Sequence, residues 1–250
     1  MAGPTIDYAT RARLGVLVPS GNVAAEPELR AMLPAGVGLF VTRLPLTGSS
    51  AAELLAMLDQ LEAGTSLLAD AQPDAIAFHC TAVSTFAPHM AAEIRTRMAR
   101  ATAIPALTTA DAIRAALTAL HAIQVVLVTP YIEPVHQREI GWLTAAGFQV
   151  AGGSCMGVAT NAEMARIPPE AITERVLTET RGVAADACFI SCTAIRSAGL
   201  IAPLESALGI PVVTSNQALA WHALRHLGIA DEQPAFGALF TTSATLEDAA

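Results

Sequence analysis

The chain has 250 residues, 53% of them hydrophobic, with 22 acidic against 14 basic side chains and a formal net charge of −8. A chain of this size buries a sizeable core without disulfide or metal staples; no apolar run approaches the ~20 residues of a membrane-spanning helix, and an acidic balance with no basic run argues against nucleic acid and membrane partners. All 14 basic residues are arginine, which excludes Schiff-base, pyridoxal-phosphate and Walker A chemistries, each of which needs a lysine amine.

From the N-terminus, the stretch MAGPTIDYATRAR lacks the apolar core of a signal peptide, so a cytoplasmic protein is expected. Short β-rich runs then alternate with alanine- and leucine-rich stretches of helical period. Strands are predicted at Leu14 to Val18, Val37 to Val41, Asp74 to His79 and Pro105 to Leu107. A second set is predicted at Gln124 to Val128, Phe148 to Ala151, Ala187 to Ser191 and Pro211 to Val213. Helices are predicted between them, among them Ala51 to Asp70, Ala110 to His121 and Val135 to Ala146. Gly152, Gly153 and Gly157 do not have the spacing of a dinucleotide-binding loop, and Cys155 is read as lying in a glycine-rich loop. The stretch after Phe240 carries no signal beyond an expected frayed end.

The two strand sets read as copies. Arg13 to Ser20 parallels Ile123 to Pro130 at an offset of 110, and Ile104 to Thr109 parallels Ile210 to Ser215 at 106. Asp74-Ala-Ile-Ala-Phe-His-Cys-Thr-Ala82 aligns with Asp186-Ala-Cys-Phe-Ile-Ser-Cys-Thr-Ala194 at 112, so two of only four cysteines fall on equivalent positions. The expected fold is α/β, with two pseudo-symmetric lobes, each a mainly parallel four-stranded sheet flanked by helices. The lobes are placed at residues 10–118 and 119–240, with a chain crossing between them near the termini left open.

Cys80 and Cys192 each follow a predicted buried strand and precede Thr-Ala, which places them at the carboxyl edges where open parallel sheets bind ligands. Backbone N–H groups in the following turn lower a thiol pKa and favour the thiolate, so two such thiols facing each other across a cleft are expected to be catalytic. Ordinary buried cysteines and a disulfide are the alternatives. Cys188 is expected to pack. Neither a C-x-x-C pair nor a zinc-type spacing occurs, so no metal is expected.

These segments, with Val18-Pro-Ser-Gly-Asn22, Val128-Thr-Pro-Tyr131 and Ser215-Asn-Gln-Ala-Leu-Ala-Trp221, resemble the aspartate/glutamate racemase superfamily, in its branch of maleate cis-trans isomerases and arylmalonate decarboxylases. The resemblance spans about residues 12 to 240. It implies a cofactor-independent enzyme that works on a small carboxylate between two lobes and assembles as a homo-oligomer. It also implies Cys80 as nucleophile, Cys192 as its acid or base partner, and Asn22, Tyr131 and Asn161 as carboxylate-binding residues. Thr81 and Thr193 complete the expected substrate-binding set. Read without the resemblance, Asn22 caps the helix beginning near Glu26, Asn161 caps one starting at Ala162, and Tyr131 packs at a strand end.

Maleate isomerases usually carry threonine after the first-strand asparagine, where this chain has Val23. His79, before the first cysteine, is expected to point away from it and bond a backbone carbonyl, with tuning of the thiol as the alternative. Arg196 is expected either at a substrate carboxylate or in a surface or inter-lobe salt bridge. The leading reading is isomerisation of maleate or a related unsaturated dicarboxylate by thiolate addition. Racemisation is the nearest alternative, although racemases of this superfamily generally read Cys-Asn-Thr where both motifs here read Cys-Thr-Ala. Decarboxylation is disfavoured because that branch keeps only the second cysteine. A carboxylate-binding sensor is the reading from a different class, and it gives no reason for two equivalent cysteines.

Overall fold

A computed structural model describes residues 6–242; from residue 243 onward the C-terminal tail lies outside the described residues. The chain alternates strand and helix and closes two sheets of the same design. The first contains β1 (Ala12–Pro19), β2 (Val37–Leu44), β3 (Ala75–Phe78) and β4 (Ala106–Thr108), in the order β2-β1-β3-β4. The second contains β5 (Gln124–Thr129), β6 (Gln149–Cys155), β7 (Ala187–Ile190) and β8 (Val212–Thr214), in the order β6-β5-β7-β8. Every pairing is parallel. All eight predicted strands are present, and no strand changes sheet.

The two edges of each sheet differ in burial. The central strands β3 and β7 are buried at every residue and so is β8 at one edge, while β2 and β6, at the opposite edges, are only partly so. Unbroken apolar runs such as Ala75-Ile-Ala-Phe78 are what a strand with both faces covered requires. The helices that concern the site are α1 (Ala25–Met32), α2 (Ala51–Ala56), α3 (Leu61–Ala69), α4 (Thr81–Ser84), α5 (Met90–Ala101) and α6 (Thr109–Ala119) in the first half. In the second half they are α7 (Glu133–Ala145), α8 (Asn161–Met164), α9 (Pro169–Thr180), α10 (Ile201–Leu208) and α11 (Ser215–His226).

Alanine explains how the halves meet. Helices α6 and α11, which start directly after the equivalent strands β4 and β8, pack against each other. They bury Ala110, Ala112, Ala115 and Ala116 on one side and Ala218, Ala220 and Ala223 on the other. Small side chains let two backbones approach closely. Each helix is fixed at its start by the preceding threonine: Thr108 Oγ1 accepts the Asp111 N–H, and Thr214 Oγ1 accepts the Gln217 N–H. Among the described residues no helix is long and apolar enough to cross a membrane.

Two expectations need correction. The single helix over Ala51 to Asp70 is instead α2, a 3-10 turn over Met57–Gln60, and α3, with Met57 and Leu58 buried in the tightened turn. Gly152 and Gly153 belong to β6, not to a loop, and Cys155 is the last residue of that strand. The register between β5 and β6 slips past Ala151. Gly153 takes φ +131°, and a Cβ there would sit 1.9 Å from the Leu127 carbonyl oxygen. Only glycine permits that approach.

Candidate active site

The two Cys-Thr-Ala segments fall just past the ends of β3 and β7, at the same edge of each sheet. Cys80 is 5% exposed and Cys192 3%, and the charge of each would bear on the other. All four cysteines are free thiols.

The two thiols have different surroundings. Cys80 has an extended backbone and immediately precedes α4; its Sγ takes no capping hydrogen bond, although the N–H groups of Val83 and Ala82 in that first turn favour its thiolate. Cys192 has φ +99°, a strained conformation for a residue with a Cβ, of the kind held only where surrounding contacts demand it. Those contacts are visible. The Cys192 N–H donates to Ser215 Oγ at 3.1 Å, and its Sγ accepts the Ala194 N–H at 3.2 Å, while the Tyr131 phenol favours its thiolate. The thiol also lies 3.7 Å from the Met164 sulfur on α8.

Backbone N–H groups and the phenol favour the thiolates, as the sequence suggested, but burial outweighs them. It pushes both Cys80 and Cys192 up to about 12. The Tyr131 phenol is raised well above its ordinary value, first by burial and then by Cys192 and Glu139.

The remaining candidates gather at the same junction. Asn22 is buried; its Oδ1 accepts the N–H groups of Ala24 and Ala25, so it does fix the entry to α1, while its Nδ2 donates to Thr193 Oγ1 in the other half at 3.0 Å. Thr81 Oγ1 donates to Ser215 Oγ at 2.9 Å. One serine hydroxyl therefore ties the turn after Cys80 to the backbone of Cys192. Asn161 does not cap a helix: Thr160 and Glu163 form a capping box before it, and Asn161 is the first residue of α8. Its backbone N–H donates to Thr47 O at 3.0 Å and its Nδ2 to Leu46 O at 3.2 Å. A Cβ at Gly21 would meet the Asn161 Cβ at 3.3 Å, so the glycine before Asn22 lets the two halves close.

His79 does not reach a backbone carbonyl. Its Nε2 bonds Asn216 Oδ1 at 2.8 Å and its Nδ1 the Thr109 hydroxyl at 3.0 Å. Asn216 uses its Nδ2 to donate to Glu28 at 2.6 Å, which leaves its Oδ1 to accept from the imidazole. Burial holds His79 neutral, with a pKa of about 4. Glu28 also accepts the N–H groups of Ser197 and Ala198, so this polar chain runs from behind one cysteine to the loop after the other. Arg196 is exposed and donates to the Ile167 carbonyl at 3.1 Å rather than forming a salt bridge. Val23 is 64% exposed and turned away from the buried cluster. Cys188 is packed inside β7, and the Cys155 thiol donates to Glu133 Oε2 at 3.0 Å.

Sequence reasoning assigned no role to Ser215, Asn216, Met164, Glu28 or Glu139. Ser215 and Asn216 stood within a recognised motif; the two acids carried no local signal.

A family model described as arylmalonate decarboxylase matches residues 14–240. The chain belongs to that family. Its relatives include the maleate isomerase of Nocardia farcinica, 33% identical over 241 residues that cover 91% of this chain and 94% of that protein. The arylmalonate decarboxylase of Bordetella bronchiseptica is 29% identical over 154 residues, covering 61% of this chain and 64% of that one. Among solved structures, a cysteine-to-serine mutant of the Nocardia farcinica maleate cis-trans isomerase, with a covalently bound succinylcysteine intermediate, superposes with a TM-score of 0.85 at 30% identity. That superposition covers 92% of this chain and 98% of the other.

Proposed function

We propose that this member of the family is a cofactor-independent cis-trans isomerase of maleate or a closely related unsaturated dicarboxylate. The observation that carries the reading is the pair of buried thiols at equivalent strand ends, each beside the backbone N–H groups of the turn that follows it. A decarboxylase or a passive binder has no use for both. The relatives support it: the curated protein with the highest identity given above is a maleate isomerase, and its structure carries a covalent cysteine adduct.

In this reading the Cys80 thiolate adds to the alkene carbon beside one carboxylate. A C–S bond forms, and the π electron pair moves to the neighbouring carbon and its carboxylate as an enediolate. The remaining C–C single bond rotates. Cys192 supplies a proton to the carbanionic carbon and takes it back; the electron pair then re-forms the double bond as the C–S bond breaks, releasing the trans isomer and the Cys80 thiolate. Asn22, Asn161, Tyr131, Thr81 and Thr193 hold the carboxylates through neutral donors, which stabilise developing charge without a fixed cation that would pair with the thiolate. Burial is what disfavours the thiolates, and the neighbouring N–H groups are what oppose it.

Intact-mass measurement tests the covalent step. Cys192→Ser incubated with maleate is expected to gain the mass of one dicarboxylate at Cys80, and Cys80→Ser to gain none. An adduct that survives in Cys80→Ser, or none in either variant with folding intact, overturns the assignment.

A further inference from the structure

Helix α7 carries a carboxylate that the proposed reaction does not use. Glu139 is 1% exposed and faces the end of β7, where its Oε1 accepts the Ser191 hydroxyl at 2.6 Å. Ser191 immediately precedes Cys192. Its Oε2 has no hydrogen-bond partner among the described residues. An isolated carboxylate in such a place is costly, and proteins keep one where its charge has work to do.

That charge falls on one side of the pair. Glu139 bears on both the Cys192 thiol and the Tyr131 phenol, whereas among the described residues no carboxylate bears on Cys80. The residue before Cys80 is the neutral His79, in the place Ser191 holds before Cys192. On α1, the corresponding helix of the first half, the acid Glu28 has both oxygens taken up, one by the N–H groups of Ser197 and Ala198 and the other by Asn216 Nδ2. Among the described residues the unpartnered buried carboxylate oxygen is therefore peculiar to the second half, at the point where two equivalent thiols must take different roles.

We propose that Glu139 is a positioning residue that keeps the proton on Cys192, making it the acid of the pair and leaving the charge to Cys80. This rests on the isomerase reading for its purpose but not for its test. The titratable groups facing Cys192 are Cys80 from the end of β3, Tyr131 from the end of β5 and Glu139 from α7; Met164 on α8 and Ser215 on α11 are neutral. On the same helix, His136 bonds the Thr129 hydroxyl at 3.0 Å, and the Arg138 guanidinium lies 4.4 Å over the Phe86 ring.

The experiment is the pH dependence of alkylation by iodoacetamide, read at Cys192 in the Cys80→Ser background and at Cys80 in the Cys192→Ser background. With Glu139→Gln, which keeps the side-chain shape, Cys192 alkylation at a given pH is expected to rise about tenfold, equivalent to one unit on the pH axis. Cys80 is expected to be unchanged, and Glu139→Asp to retain the native profile at Cys192. Glu139→Leu gives a second neutral variant should Gln not fold. Cys192 alkylation unchanged in both neutral variants, or raised equally in Glu139→Asp, would overturn the proposal. Loss of maleate turnover leaves this readout untouched, so failure of the isomerase reading is separately visible.

Discussion

Asn22 Nδ2 donates to Thr193 Oγ1 at 3.0 Å, so the amide at the end of β1 in one half is held by the residue that follows Cys192 in the other. The Asn22 Oδ1 is already committed to the N–H groups of Ala24 and Ala25. Only the Nδ2 end is left to exchange Thr193 for a substrate carboxylate. Asn22→Asp keeps the acceptor for those N–H groups but replaces the donor by a negative charge. We expect kcat/KM to fall by about 10²-fold or more, the scale seen when one stabilising donor is removed, with little change in Tm. A loss of stability in step with the loss of rate would assign Asn22 to structure alone.

The Ser215 hydroxyl is shared between Thr81 and the N–H of Cys192. Ser215→Ala leaves a buried N–H unpaired at a residue already held at φ +99°. The expected cost is about 1–3 kcal/mol in denaturant unfolding. Thr81→Val, which removes only the other donor, should cost less. Equal costs would mean that the strained turn does not depend on this contact.

Stability should depend on pH through two groups of opposite sign. Burial raises the Glu139 carboxyl from 4.5 to about 7. Its favourable contribution is therefore complete below pH 4.5 and is lost as pH rises to about 7. Glu139→Gln should match the native chain at pH 4 and exceed it at pH 8 by up to about 3 kcal/mol. Burial lowers His79 from 6.5 to about 4, so its contribution is present above pH 6.5 and is lost as pH falls toward 4. Denaturant melts of both chains at pH 4, 6 and 8 check the signs; a gap between native and Glu139→Gln that does not widen with pH contradicts the assigned burial.

Much of this arrangement could be read in the sequence. Buried strands such as Ala75-Ile-Ala-Phe78 and Ala187-Cys-Phe-Ile190 announce themselves as unbroken apolar runs, and the repeated Cys-Thr-Ala after each one placed both thiols at one sheet edge. What could not be read depends on contacts between distant residues. His79 binds Asn216, which lies 137 positions away, and Glu139 meets Ser191 across 52. Period and spacing carry no trace of such pairs. Gly152 and Gly153 misled for a local reason: glycine is a turn signal, yet here it serves a bulge in β6 that brings Gly153 against the Leu127 carbonyl.

That bulge gives a purely structural prediction. Gly153→Ala would force a Cβ to within 1.9 Å of the Leu127 oxygen at a φ of +131°. The strand must shift, at a cost of more than about 3 kcal/mol. Gly157→Ala, with no atom within 4 Å of its Cβ, should cost far less despite its φ of +74°. Similar Tm losses in the two variants would contradict the close approach.

The central claim is that the facing thiols interconvert a cis and a trans dicarboxylate without a cofactor. Proton NMR of the purified, reduced protein with maleate in heavy water tests it directly. The expected result is replacement of the maleate signal by that of fumarate with both vinylic protons retained, and no replacement in Cys80→Ala. Folded, fully reduced protein that leaves maleate unchanged would contradict it.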